Sequence, residues 1–498
     1  MSNKLQILKD IGGYSVSAIV SQALGLIAGF WVARLLGPSD FGIWNAVSLV
    51  LVYGAYLEFG VLSAMGRDLP FCHGQGDLVK AAAIEGAARQ TTIFGAFVAA
   101  LLVFAFSLLP NHSSMMARGL QAMAVVLILQ QVYTYHRILL RSYNQFREIS
   151  QQQVLFAIVN SGLAILFVVF LGLGGRLIAA ILAQAAIVLY AIRRNPWRPV
   201  PKFDSHVTWS LMRVGMPIII SGFILSLLTT VDRLMVITFL DEKQLGYIGI
   251  ALLIAGVVSL IPGMTIQVLV PRINYEYGNS GKNVEALRAF VLTPPAILSA
   301  LLPILIGSIY LSLPFVIGVF LPAYTQAITA MRIIIVGIFF YCILGMTDVF
   351  LITIGKLKQY ALFGCVALLL NIILDYLFLQ WGYGIEGIAL GGTLITYFFY
   401  SCIVIGYALY HYTKRLGDWV RFFLKLWLPF IYMIALLWFV EMAVNYMMPS
   451  ASKTGLLFST IAKLLFYILC CLPLIYLVFR ELKLDFSKLS LMRKKLSV

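Results

Sequence analysis

Residues 160–179 read NSGLAILFVVFLGLGGRLIA, and residues 371–389 read NIILDYLFLQWGYGIEGIA. The two stretches share an asparagine, two leucines and a phenylalanine 211 residues apart, and then two glycines and an Ile-Ala pair 210 residues apart. Chance similarity between leucine-rich helices explains the shared asparagine and glycine register poorly, so we favour an internal duplication. A weaker echo pairs Phe41-Gly42 with Leu245-Gly246, which chance explains easily.

The composition makes lipid the solvent for most of the exterior. Of 498 residues, 61% are hydrophobic and 11% are charged, whereas soluble domains have about 25% charged residues. A membrane span needs about 20 apolar residues, and it must be helical because lipid offers the backbone no hydrogen bonds. We therefore predict an all-α integral membrane protein with about fourteen transmembrane helices. The predicted spans lie near residues 11–36, 40–66, 84–109, 115–140, 150–171, 174–193, 210–239, 244–270, 288–312, 326–355, 359–380, 384–411, 424–446 and 455–479.

Lysine and arginine are distributed unevenly between alternate connections. With the N-terminus inside, 27 of them fall on the inner side and 4 on the outer side, at Arg118, Arg176, Lys243 and Lys453. Because positively charged loops stay in the cytoplasm, both termini are predicted to be cytoplasmic. Topology and anionic headgroups account for most of the net charge of +16, so no nucleic-acid partner is expected.

The duplication groups the spans into two six-helix lobes. The N-lobe covers residues 1–198, and the C-lobe covers residues 199–411 with an interfacial linker at 199–213. Residues 412–498 hold an interfacial helix at 412–427, the last two spans and a basic cytoplasmic tail. An offset of six spans preserves orientation, so the lobes are parallel repeats, which is a recognised plan for transporters.

Ionisable residues inside the spans are the candidate functional residues, because such charges face the bundle interior or a water-filled cavity. Arginine suits a phosphate headgroup, since its planar guanidinium donates two parallel hydrogen bonds. The candidates for a cationic substrate cavity are Arg34, Arg89, Arg233 and Arg332; those for gating or coupling are Glu58, Asp232 and Asp348; Arg137 and Arg141 flank the inner mouth. The alternative is that these charges pair with one another and only hold helices together. Weaker candidates near an interface, where side chains can reach water, are Asp375, Glu441 and Lys463.

Several short motifs stand in a characteristic order along the chain. Residues 33–42 read ARLLGPSDFG, between the first two predicted spans. Residues 216–217 read MP, and residues 231–234 read VDRL, followed by LGY at 245–247, in and after the seventh span. Residues 355–358 read GKLK and run on to Asn371, where spans ten and eleven join. In this order the motifs resemble those of the polysaccharide flippases of the multidrug/oligosaccharidyl-lipid/polysaccharide (MOP) exporter superfamily, and the resemblance covers essentially the whole chain.

The resemblance implies two six-helix lobes in a V, a C-terminal helix pair, and alternating access. It implies a flippase that moves undecaprenyl-pyrophosphate-linked oligosaccharide from the cytoplasmic to the periplasmic face of a bacterial plasma membrane. Membrane lipids and, in addition, a polysaccharide polymerase and chain-length proteins are the partners to expect. Coupling to protons, to sodium or to the membrane potential stays open. Lipid II flippases are related and have an arginine cluster in their cavity. In this sequence only Arg34 resembles a member of such a cluster, so lipid II is the less favoured substrate.

Two other functions are weighed against this one. Multidrug or cation antiporters of the superfamily usually have twelve spans, and the first span here has no acidic residue of the kind some of them use. A membrane glycan polymerase or ligase needs catalytic groups on a sizeable outer loop, whereas the outer loops here are short. No catalytic residue is predicted, and the six cysteines lack metal-site spacing, so neither a metal nor a cofactor is expected.

Overall fold

The computed structural model describes residues 2–110, 113–197, 204–447 and 453–478, and these residues form helices and short connections without a β-strand. In the first half the helices are α1 (Ser2–Gly54), α2 (Val61–Gln75), α3 (Leu78–Ser107), α4 (Ser114–Ser142), α5 (Phe146–Arg194), α6 (Ser205–Phe239) and α7 (Glu242–Asn279). In the second half they are α8 (Arg288–Phe320), α9 (Ile328–Cys342), α10 (Gly345–Thr353), α11 (Leu357–Gln380), α12 (Gly384–Ile388), α13 (Thr396–Tyr410), α14 (Leu416–Met447) and α15 (Lys453–Cys470). A π-helical segment, Ala389–Ile395, joins α12 to α13.

Eleven of the described helices are long and apolar enough to cross a membrane, or twelve when the bent pair Gly455–Cys470 and Leu472–Val478 is taken as one span. Two of the eleven have double length, with 43 residues in Val16–Glu58 and 49 in Phe146–Arg194. At about 1.5 Å per residue, each is roughly twice the ~30 Å hydrocarbon thickness. Each is interrupted by non-helical backbone, at Gly37 and Gly172 respectively, and therefore supplies two passes. The predicted all-α membrane protein with about fourteen spans is confirmed.

The two breaks fall at glycines because the backbone there has positive φ angles. Gly37 has φ 73° and ψ 175°, and Gly172 has φ 57° and ψ −136°, which a residue with a Cβ adopts only with strain. Pro38 follows the first break and has no N–H to donate to a helix. In the second copy of the duplicated stretch, Gly382 has φ 81° and lies 210 residues after Gly172. Both copies therefore contain the glycine turn.

Internal contacts divide the chain into two compact units, Met1–Leu253 and Ile254–Val498. In the first unit α1 packs along α5, α3 packs against α4, and α6 packs against α2 and α3. Helix α6, which the duplication makes the first helix of the C-lobe, therefore packs within the first unit. The repeats are defined by sequence and the units by contacts, so the lobes at 1–198 and 199–411 and the terminal segment 412–498 stay a prediction.

Helix α6 is held close to the start of α2 by a pair of glycines. A Cβ on Gly60 would lie 2.3 Å from the carbonyl carbon of Gly215, and a Cβ on Gly215 would lie 1.9 Å from the carbonyl oxygen of Gly60. Neither position has room for a side chain. This contact fixes α6 against the start of α2 within the first unit. Further along, α6 carries Asp232 and Arg233.

In the second unit α8 packs against α9, α14 and α15. The Tyr467 hydroxyl on α15 donates a 2.7 Å hydrogen bond to the carbonyl oxygen of Pro303 on α8. Gly307 leaves the space for this phenol, since a Cβ there would lie 2.0 Å from the Tyr467 hydroxyl oxygen. The last two helices are thus packed into this unit and not detached from it.

The two predicted interfacial segments differ in how much of each is described. The stretch 412–427 leads directly into the next span, because α14 begins at Leu416 and continues to Met447. The stretch 199–213 begins at residues outside the described part, and from Ser205 onward it forms the first turns of α6. The Asp204 carboxylate caps this helix by accepting hydrogen bonds from the backbone N–H groups of His206 and Val207, at 2.8 and 3.3 Å. The predicted basic tail from Arg480 lies outside the described residues.

Candidate functional site

A polar cavity of about 340 Å³ lies in the first unit, lined by residues of α1, α5, α6 and α7. We call it the arginine cavity, because its charged lining residues are two arginines. The lining residues with polar atoms in their side chains are Trp44, Asn45, Asn160, Arg176 and Arg233, and the remaining lining residues, Phe41 among them, are apolar or glycine. No carboxylate is among the described residues that line it. The cavity is therefore positively charged and suited to an anion.

Arg176 reaches this cavity because of the glycine break in α5. The helix restarts after Gly172, and a Cβ on Gly175 would lie 2.0 Å from the Phe167 carbonyl oxygen, so the two segments of α5 touch at the turn. The Arg176 guanidinium stacks on the Trp44 ring at 3.7 Å from its centroid. Its Nη1 atom is buried without a hydrogen-bond partner among the described residues. Arg176 thus brings a positive charge to the cavity lining, with one guanidinium nitrogen that no described residue satisfies.

Arg233 enters the same cavity from α6, next to Asp232, whose side chain is 8% exposed. Asn45 donates a 2.7 Å hydrogen bond from Nδ2 to the Phe41 carbonyl oxygen, which holds its side chain along α1. The Asn45 side chain is thus fixed by the helix that carries it. Of the predicted cavity arginines, the structure places Arg233 here and adds Arg176, which the sequence analysis counted with the outer loops.

Arg89 lines a different cavity of the first unit, of about 230 Å³. Its guanidinium lies 5.2 Å from the centroid of the Trp197 ring. Glu85 lines the same cavity and accepts a hydrogen bond from the Tyr143 hydroxyl. His136, which is 1% exposed, lies there too. This second cavity carries both signs of charge, and the structure does not bring Arg89 together with Arg233.

Four other predicted residues of the first unit lie away from the arginine cavity's lining. Arg34 is exposed and lies 5.4 Å from the centroid of the Trp31 ring. Glu58 is 8% exposed, and its carboxylate accepts a 3.1 Å hydrogen bond from the Leu62 N–H in the first turn of α2. Exposed side chains at the end of α4 are those of Arg137 and Arg141. The gating role of Glu58 and the inner-mouth role of the two α4 arginines stay predictions.

In the second unit Arg332 is engaged by other side chains. Its Nη2 atom lies 2.6 Å from Oε1 of Glu441 on α14, and its guanidinium lies 4.3 Å from the centroid of the Tyr310 ring. The alternative considered for intramembrane charges, mutual pairing between helices, therefore describes this arginine. Asp348 lies on α10 with its Oδ1 atom buried, where the carboxyl interacts with the Tyr360 hydroxyl. Its coupling role stays a prediction.

Asp375, predicted near an interface where its side chain could reach water, has a fully buried side chain on α11, one turn after the fully buried Asn371. Its depth in the membrane stays a prediction. A short carboxylate has no flexible stem with which to reach an interface. Arg176 is the residue that the sequence analysis missed, and the available signal was an arginine within the apolar stretch 160–179.

The fold is similar to that of several solved transporters. An inward-facing multidrug resistance MATE family transporter of the MOP superfamily has a TM-score of 0.66 and 17% identity, over 78% of this chain and 94% of that chain. The lipid II flippase MurJ in an inward closed conformation has a TM-score of 0.64 and 16% identity, over 92% and 97%. A MOP superfamily transporter from Pyrococcus furiosus has a TM-score of 0.58 and 17% identity, over 81% and 95%. At these identities the similarity concerns the fold.

No curated protein matches the sequence. The resemblance drawn from the short motifs is confirmed by a family model described as polysaccharide biosynthesis protein, which matches residues 31–329 and thus more than half of the chain. Together with the apolar helices, this makes the molecule a multi-pass membrane protein. The chain belongs to the polysaccharide biosynthesis protein family.

Proposed function

We propose that this protein is a flippase, not an enzyme, and that it moves undecaprenyl-pyrophosphate-linked oligosaccharide from the cytoplasmic to the periplasmic leaflet of a bacterial plasma membrane. The observation that carries the proposal is the presence of Arg176 and Arg233 in one polar cavity inside an apolar helical unit. The family assignment and the transporter fold support it.

The chemistry of the cavity matches a pyrophosphate head. Moving such a head through hydrocarbon without compensation costs many kcal/mol, so a flippase must supply polar and charged partners. Arginine keeps its charge at any physiological pH and pairs with phosphate oxygens through two donors at once. Stacking on Trp44 fixes the Arg176 plane, which lowers the entropy lost when an anion binds. The amides of Asn45 and Asn160 add neutral hydrogen-bonding groups that suit sugar hydroxyls.

A multidrug or cation antiporter is the alternative that the fold also permits. A cationic substrate is attracted by carboxylates, and the described lining of the arginine cavity has none. Two guanidinium groups in a poorly screened cavity repel a cation. The charge of the cavity therefore favours an anionic substrate.

Orientation and coupling belong to the same proposal. The excess of lysine and arginine on one set of connections favours cytoplasmic termini. We assign gating or coupling to Glu58, Asp232 and Asp348, and attraction of the anionic head at the inner mouth to Arg137 and Arg141. Protons, sodium or the membrane potential supply the driving force. A polysaccharide polymerase and chain-length proteins are the proposed protein partners.

Transport in proteoliposomes tests the function directly. The purified protein is reconstituted with undecaprenyl-pyrophosphate-linked oligosaccharide, and sugar exposed on the opposite leaflet is measured over time against protein-free vesicles. Protein-dependent exposure supports the flippase. Absence of exposure together with protein-dependent efflux of a cationic dye would replace it with the antiporter.

A further inference from the structure

A third cavity of the first unit, of about 700 Å³, lies among α1, α3, α4 and α6. We call it the apolar cavity, because apart from Gly54 its lining consists of Ala, Val, Leu, Ile, Met, Phe and Tyr side chains. Its two tyrosine hydroxyls are already engaged. Tyr53 shares a 2.8 Å hydrogen bond with Thr230, and Tyr56 donates a 3.1 Å hydrogen bond to the Gly222 carbonyl oxygen. A cavity without available polar groups does not hold ordered water, so its natural contents are hydrocarbon.

The apolar cavity opens on the outside of the helices. Its lining includes Phe59, Phe106 and Ile220, whose side chains are 38%, 52% and 52% exposed. In a membrane protein, exposed apolar side chains on spanning helices face lipid. Hydrocarbon in the bilayer can therefore enter this cavity sideways, without passing through water.

The apolar cavity and the arginine cavity are lined by two of the same helices, at the same level on each. On α1, Asn45 lines the arginine cavity and the next residue, Ala46, lines the apolar cavity. On α6, Arg233 lines the arginine cavity and the next residue, Leu234, lines the apolar cavity. Successive helical residues point about 100° apart, so each helix turns one face to each cavity. A molecule that fills both cavities has to pass between α1 and α6 at this level.

Away from the level of Ala46 and Leu234, α1 and α6 also contact each other directly. The Phe223 ring lies edge-on to the rings of Tyr53 and Tyr56, with centroids 6.2 and 5.2 Å away. With the two tyrosine hydrogen bonds, these contacts tie α1 to α6 for about two turns. The seam between α1 and α6 is thus closed along Tyr53 and Tyr56, which directs an occupant of both cavities to the Ala46–Leu234 level.

We propose that the apolar cavity binds the first isoprene units of the polyprenyl chain whose pyrophosphate occupies the arginine cavity, so that the first unit holds head and chain of one substrate molecule together. This inference rests on the proposed function. It commits to the substrate's own chain because the two cavities adjoin at consecutive residues of the same two helices. An acyl chain of a bulk phospholipid is the competing occupant that the test must distinguish.

Photolabelling in the reconstituted protein tests this assignment. One probe is undecaprenyl-pyrophosphate-linked oligosaccharide with a diazirine on its third isoprene unit, and the other is phosphatidylglycerol with a diazirine in an acyl chain. We expect the prenyl probe to label peptides around Ile219 and Val103, and unlabelled substrate to compete. Arg176→Gln should reduce this labelling about tenfold, since the head loses a charge-assisted partner. Phosphatidylglycerol labelling should not respond to Arg176→Gln.

Filling the cavity gives a second readout. Ala46→Phe adds a ring where the cavities adjoin and should lower both flipping and prenyl labelling, whereas Ala186→Phe on the exposed face of α5 should change neither. Active flipping with prenyl labels spread evenly over lipid-facing helices, or with phosphatidylglycerol labelling the cavity equally, would overturn the inference and leave the flippase standing. Loss of all flipping in the wild-type protein removes the proposed function and this inference with it.

Discussion

Gly42 on α1 and Gly246 on α7 pack against each other without space for a side chain on either. A Cβ on Gly42 would lie 1.7 Å from the Glu242 carbonyl oxygen and 3.0 Å from the Gly246 nitrogen. A Cβ on Gly246 would lie 1.9 Å from the Pro38 carbonyl oxygen. These are the two glycines of the weak sequence echo, so the pair that chance could explain is also a direct contact between two helices.

Replacing either glycine by alanine should force the second segment of α1 away from α7. Overpacking of this kind costs about 1–3 kcal/mol, and because the obstructing atoms are backbone, neither side can yield by changing a rotamer. We expect Gly42→Ala and Gly246→Ala to lower the thermal unfolding temperature in detergent and to lower the flipping rate. The control is Gly174→Ala, since a Cβ there meets nothing within 4 Å. An unchanged unfolding temperature in both variants would contradict the close contact.

Arg176 should matter more to substrate flipping than Arg34 does. Arg176→Gln removes a stacked guanidinium whose Nη1 has no other hydrogen-bond partner in the described residues. Loss of a charge-assisted hydrogen bond of about 1.5–3 kcal/mol corresponds to roughly a 10- to 100-fold fall in initial flipping rate.

The matched control for that prediction is Arg34→Gln, which changes an exposed arginine outside the lining of the arginine cavity and should leave the rate within about twofold, as expected for an exposed side chain away from the site. Arg176→Lys should recover only part of the rate, because lysine keeps the charge but neither the fork nor the stacking plane. If Arg34→Gln proved the more damaging variant, the cavity assignment would be wrong.

Arg332 and Glu441 should behave as a structural pair. They lie 2.6 Å apart with side chains 21% and 27% exposed, in helices that lipid surrounds. Removing one partner from a fully buried pair costs about 3–5 kcal/mol; this pair is only partly buried and Lys463 lies close enough to interact with both charges, so we expect a smaller loss. Arg332→Met and Glu441→Gln should each lower the unfolding temperature. The double variant should lose less stability than the two single variants lose together. A fully additive double-mutant cycle would show that the two charges do not interact.

The sequence was sufficient for the helices and for the glycine turns, because length, hydropathy and backbone conformation are local properties. Gly172 and Gly382 illustrate this, since each turn follows from the residue type at that position. Partners between distant helices could not be read in the same way. Helical periodicity says that Arg332 lies on a face of α9, but the choice of Glu441 on α14 as its partner depends on packing in three dimensions.

For a related reason, the sequence did not identify Arg176 as a cavity residue. A span boundary uncertain by a few residues decides whether an arginine belongs to a loop or to a helix, and the glycine turn four residues before it favoured the loop. The structure continues α5 past Gly172 and turns Arg176 onto Trp44, which lies more than a hundred residues earlier in the sequence. No local pattern identifies that ring as its partner.

Gly172 connects the backbone to the site and gives the last prediction. Its angles, φ 57° and ψ −136°, suit glycine, and a residue with a Cβ held there costs of order 1–3 kcal/mol. Gly172→Ala should therefore lower the unfolding temperature, although a Cβ at this position meets no atom within 4 Å. Gly162→Ala, ten residues earlier in a helical segment and also without a neighbour within 4 Å, should be neutral or slightly stabilising, because alanine favours the helix by about 1 kcal/mol over glycine.

Measuring substrate affinity distinguishes a local effect of Gly172→Ala on the site from a general loss of stability. If the turn at Gly172 sets the position of Arg176, the alanine variant should lose affinity for undecaprenyl pyrophosphate even at temperatures where it remains folded. In a background where Trp44 is the sole tryptophan, its fluorescence can report this loss, because the Arg176 guanidinium lies on that ring. Gly382→Ala changes the matching turn of the second copy, at φ 81°, and should destabilise the protein to a similar extent. Equal losses of affinity in the two variants would mean that the effect is general unfolding, whereas a loss confined to Gly172→Ala ties the break in α5 to the arginine cavity.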